Sequence, residues 1–79
     1  MLFLIEYDRN QGRIVTLNRF SDSDRERAEE LRLELEIKLN LQRVSNEVVI
    51  LEASTEQALR RTHRRYFEDL AEIATMPAE

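Results

Sequence analysis

From Leu31 to Leu41 apolar and polar residues alternate without interruption (LRLELEIKLNL), and the fold of the whole chain turns on that stretch. Strict alternation is the period of a half-buried strand. The alternating residues, however, are Leu, Glu, Arg and Lys rather than Val, Thr or aromatics. Their preference for helix is a few tenths of a kcal/mol each, or roughly 2–3 kcal/mol over the stretch, which is large beside a small domain's stability. The residues ahead of it (SDSDRERAEE, 21–30) carry a helix start. Ser21, Asp22 or Ser23 can cap, and acids crowd the first turn, where exposed backbone N–H groups favour negative charge. No Gly or Pro intervenes before Leu41. The reading is therefore a helix over about 22–40, continuing through at least Leu39. Ala28, Leu31, Leu35 and Leu39 then fall within about 80° of one another as a core stripe. Glu34–Lys38 and Arg32–Glu36 become i,i+4 pairs. The competing reading makes 31–41 a strand, paired with 47–53 around Val44-Ser45-Asn46.

The remaining elements are read more directly. Residues 2–8 (LFLIEYD) are apolar on both faces, Phe3/Ile5/Tyr7 against Leu2/Leu4, which suits a central strand. Residues 13–18 (RIVTLN) form a second strand, and Asp8 to Gly12 a hairpin loop whose only glycine sits where positive φ is needed. Residues 47–53 (EVVILEA) are a third strand. Ser54-Thr55-Glu56-Gln57 reads as a capping box with Ser54 as cap, opening a helix to about Ala74 whose apolar face is Leu59, Tyr66, Leu70 and Ile73. Residues 75–79 are expected to fray. The order is ββαβα. A right-handed crossover through the long helix sets strand 3 parallel to strand 2, with strand 1 between them. The expected fold is an α+β, two-layer domain: a three-stranded sheet in order 2-1-3, packed with two helices on one face.

Seventy-nine residues make one small domain, residues 1–74, which buries only about 63% of the surface its unfolded chain exposes. With no cysteine there is no disulfide, thiolate metal site or cysteine nucleophile to add to that core, and oligomerisation is the remaining common means. Apolar content of 42% with one Gly and one Pro argues against disorder. The opening run Met1 to Ile5 meets Glu6 at once, too short for a signal peptide or a membrane span. A soluble cytoplasmic protein is expected.

No catalytic or cofactor motif appears, and no cofactor is expected. A single glycine rules out Gly-rich phosphate loops and nucleophile elbows. Asp22-Ser23-Asp24 starts like a calcium loop, but no glycine follows Gly12. His63, the only histidine, flanks the apolar side of the last helix and reads as a packing residue. Arg60, Arg61, Arg64 and Arg65 span an arc of about 140° on that helix, a candidate phosphate-contacting face. Glu56–Arg60, Arg64–Glu68 and Arg65–Asp69 are i,i+4 pairs, however, leaving only Arg61 without such an acid. The net charge of −4 further argues against nucleic acid, which is the second functional reading.

The informative excess is apolar. On a helix over 22–40, Leu33 and Ile37 lie about 200–240° from Leu31, away from the core stripe, and Leu41 near 280°. If both helices cover one sheet face, Leu2, Leu4, Val48 and Ile50 on the other are open to water; with one helix on each face that surplus disappears. Uncovered patches of this kind mark interfaces. The first functional reading is thus a non-enzymatic interaction module, a homodimer that also accommodates another protein, with Leu33, Ile37, Leu2, Leu4, Val48 and Ile50 as candidate interface residues.

Overall fold

A computed structural model describes residues 1–67 of the chain. The end of the predicted last helix and the predicted frayed tail lie outside the described residues.

The hairpin forms as expected. Strand β1 (Leu2–Asp8) and strand β2 (Arg13–Phe20) pair antiparallel. Between them Asp8 Oδ1 accepts the backbone N–H groups of Asn10 (2.9 Å) and Gln11 (3.1 Å), while Gly12 turns back at φ 68° to donate to the Asp8 carbonyl (2.8 Å). A side chain with a Cβ would be strained at that φ. The β1–β2 register shifts between Glu6 and Tyr7, where Val15 is the extra residue on β2.

Residues 31–41 are helical. A short 3₁₀ turn, Asp22–Asp24, leads into helix α1, Arg25–Leu41. The start stands where the sequence places it, but no side chain caps a helical N–H: Ser21 Oγ bonds to Ser23 Oγ and Asp24 Oδ2 instead, and Asp22 pairs with the N-terminal amine at 2.6 Å. Of the two expected i,i+4 pairs only Arg32–Glu36 is found among the described residues, at 4.0 Å; Arg32 bonds more closely to Glu29, at 3.0 Å. The helix stops at Arg43, which takes the left-handed conformation (φ 57°). Its N–H donates to the Asn40 carbonyl and that of Val44 to Leu39 (3.1 and 2.9 Å), the double hydrogen bond of a Schellman terminus.

Strand β3 (Glu47–Glu52) lies antiparallel to β1 on the side away from β2, so the sheet order is β2-β1-β3 and β3 runs parallel to β2. This is the predicted three-stranded α+β architecture. The second helical region is divided within the described residues. Helix α2 covers Glu56–Thr62 and helix α3 Arg64–Phe67, separated at His63 (φ −124°, ψ 52°). Its cap is Thr55, whose Oγ1 accepts from Ala58 N–H at 3.0 Å, one residue later than the Ser54 expected.

The distribution of the helices departs from the one-face expectation. Phe3, Ile5 and Tyr7 pack with Leu59 of α2 and Tyr66 of α3. On the opposite face, α1 lies over β1 and β3, its Leu31, Leu35 and Leu39 beside Leu4, Glu6 and Val48. Leu2 and Leu4 are fully covered there, and Ala28 and Leu39 are buried on the helix side. The reason is β1 itself: every residue from Leu2 to Tyr7 is buried, with large apolar side chains on both faces. Splitting the helices removes both sets from water, at roughly 25 cal/mol per Å² of apolar area.

Candidate interaction surface

Covering both faces of the sheet changes which sequence candidates can meet a partner. Leu2 and Leu4 are inside the molecule, so the open sheet face does not exist and these two are withdrawn as interface residues. Val48 and Ile50 are half-buried in β3, which is an edge strand. Leu33 and Ile37 are where the helical period puts them, 57% and 52% exposed, on the side of α1 away from the sheet; Leu41, one turn further, is 81% exposed. Three large aliphatic side chains at i, i+4 and i+8 thus form a continuous outward row, whereas Ala28 and Leu39 of the same helix are buried. Glu26 and Glu30 precede the row on the same face of the helix.

The four arginines do not act as one face. Arg60, Arg61 and Arg64 border a shallow groove with Gln57 and Phe67. Arg60 stacks over the Phe67 ring at 4.7 Å and pairs with Glu56 at 3.9 Å. Arg65 turns the other way, to Glu47 at the start of β3, with contacts of 2.8 and 3.2 Å to the two carboxylate oxygens. It lies over the rings of Tyr66 (4.1 Å) and Tyr7 (5.9 Å), which themselves meet edge to face at 5.1 Å. Arg9 of the hairpin loop reaches the same Glu47 at 3.1 Å. The expected Arg65–Asp69 pair falls outside the described residues; a Glu47 contact at sequence distance 18 was not visible in any local spacing.

The Glu47 cluster has a clear electrostatic sense. Burial works to raise the Glu47 pKa, but the Tyr66 hydroxyl donating to it, Arg65 and Arg9 together hold it below its ordinary value. Tyr66 is pushed up by burial first, then by its hydrogen bond to the Glu47 carboxylate and that group's charge, against the opposing effect of Arg65. The arrangement ties three elements together: α3, the first residue of β3 and the hairpin loop are joined through one carboxylate. His63 is half-buried at the break between α2 and α3, its ring 6.4 Å from that of Tyr66. Among the described residues no group of three His, Asp or Glu side chains could hold a metal ion, and no helix is long and apolar enough to cross a membrane.

Glu6 is the one buried acidic side chain among the described residues, answered by Asn46 Nδ2 at 2.8 Å across the face that α1 covers. Sequence reasoning passed over it, because its placement follows from the burial of β1 as a whole.

No family model, no curated protein and no solved structure matches this chain.

Proposed function

We propose that the chain is a non-enzymatic interaction module that self-associates, using apolar surface on α1. The observation that carries this reading is the outward row Leu33–Ile37–Leu41, exposed on a helix whose other side already supplies a core. Isolated exposed leucines are ordinary, but an aligned aliphatic row on a domain of this size is costly to leave in water and gains stability when covered. The alternative, nucleic-acid binding through Arg60, Arg61, Arg64 and Arg65, loses support because Arg65 is engaged with Glu47 and Arg60 with Glu56. Affinity for phosphates depends on unopposed cations.

The test is sedimentation velocity over a wide concentration range, comparing wild type with the Leu33→Glu, Ile37→Glu double variant. The wild type is expected to dimerise and the variant to stay monomeric with unchanged far-UV circular dichroism, since both positions are exposed and each substitution alters fold stability by only about 0.5 kcal/mol. A wild type that stays monomeric at hundreds of micromolar removes self-association. A variant that dimerises like the wild type removes the α1 row as the contact.

A further inference from the structure

The two edges of the sheet are built differently. On the β2 edge the extra residue Val15 breaks the regular strand, and Arg13 and Arg19 place charge along it, the usual protections against pairing with another chain. Strand β3 has no such break, and its two charges, Glu47 and Glu52, stand only at its ends. Its register with β1 is unbroken from Glu47 to Glu52, and its centre is Val48-Val49-Ile50-Leu51. All four stay only half-buried despite a helix on each face of the sheet.

Among the described residues the backbone of that edge is also unfilled. Ala53 N–H donates to the carbonyl of Met1 at 3.1 Å, directly opposite it in the ladder. Antiparallel alternation then commits Glu47, Val49 and Leu51 to β1 and turns the N–H and C=O groups of Val48, Ile50 and Glu52 outward. Among the described residues no protein group bonds to those three amides.

We infer that β3 pairs antiparallel with β3 of a second copy about a two-fold axis at Ile50, joining two sheets into one. The proposal shares with the function above only the premise that the chain self-associates; it uses a different surface. With Ile50 opposite Ile50, Val49 opposite Leu51 and Val48 opposite Glu52 of the other copy, each face stays continuous across the axis. In that register the outward amides and carbonyls of Val48, Ile50 and Glu52 meet one another as hydrogen-bonded pairs. No two glutamates stand opposed, and apolar cross-strand pairs occupy the centre.

The helix above the edge fits the same symmetry. Arg25 of α1 contacts Glu52 (3.5 Å), and Glu36 lies beside Val48, so α1 runs antiparallel to β3. An axis at Ile50 exchanges those ends. It sets Glu36 of one copy toward Arg25 of the other, and Glu29 toward Arg32, whose Nε is buried without a hydrogen bond among the described residues. Because α1 lies over β1 and β3, strand spacing leaves the two helices roughly 10 Å apart, a normal packing distance. Spacing and the alternating charges along α1, which already pair within the chain as Arg25–Glu52, Arg32–Glu29 and Arg32–Glu36, both favour a second copy as the occupant of this edge. The Leu33–Ile37–Leu41 rows stay on the outer side of the paired helices.

Amide hydrogen exchange followed by NMR at low and high protein concentration tests this, alongside sedimentation of Val48→Pro. That substitution removes only an outward N–H, and proline is tolerated at such edge positions. The expected result is that the Val48, Ile50 and Glu52 amides become protected as concentration rises while Leu17 and Arg19 on the β2 edge do not. Val48→Pro should weaken dimerisation more than about tenfold. The exchange measurement on the wild type stands even if the proline variant does not fold. A dimer whose three amides exchange as fast as those of Leu17 and Arg19, or one that a folded Val48→Pro leaves intact, overturns edge pairing while self-association stands. A strictly monomeric wild type overturns both. Loss of dimer in Val48→Pro but not in Leu33→Glu, Ile37→Glu retains the edge and discards the α1 row.

Discussion

Glu47 gathers more interactions than any other acidic side chain among the described residues: Arg65, Arg9 and the Tyr66 hydroxyl converge on it. Its pKa is held below the ordinary 4.5, so the carboxylate stabilises the fold fully above pH 4.5, and that contribution is lost as pH falls through the depressed folded value. Tyr66 behaves oppositely. Its pKa is raised above 10.0, so its contribution is complete below pH 10 and is lost as pH rises through the raised value. Both arginines are largely exposed, which weakens their share through solvent screening. Glu47→Gln should cost about 1–2 kcal/mol at neutral pH. Urea titrations of wild type and variant at pH 7 and below 4.5 check this. The gap between them should narrow in acid, and a gap that stays constant would mean the charge contributes nothing.

At the scale of an element, α1 shows how helix propensity overrides a strand-like pattern. Alternation puts five leucines and an isoleucine at every second position of 31–41. A helix scatters such a set around its circumference, so Leu31, Leu35 and Leu39 turn to the sheet while Leu33, Ile37 and Leu41 turn away. The outward row is thus a direct consequence of strand periodicity wound into a helix. The end of α1 is also under strain, because Arg43 occupies a left-handed position that glycine fills without penalty. Arg43→Gly should stabilise the protein by about 0.5–1 kcal/mol, raising Tm by roughly 2–8 °C. Thermal unfolding tests it, and a lower Tm would show that the arginine side chain contributes more than its backbone costs.

At the scale of the whole molecule, self-association couples stability to concentration. Across a hundredfold rise in protein concentration, Tm should increase by roughly 5–10 °C for the wild type and stay level for a monomeric variant. A Tm independent of concentration in the wild type would contradict the coupling. The same scale separates what was legible in the residues from what was not. The hairpin at Gly12, the central place of β1, the start of α1, its helical state and the order 2-1-3 follow from the sequence alone. Each rests on neighbours in the chain: a positive φ, an apolar run, a propensity summed over eleven residues, a crossover of sufficient length. Only the tertiary structure decided that the helices take opposite faces, that Leu2 and Leu4 are covered, that Arg65 reaches Glu47, and that the second helical region breaks at His63. Those outcomes depend on which distant surface an element meets. A helix with one apolar stripe satisfies its own pattern on either face of a sheet, and the choice between faces belongs to the packing of the whole.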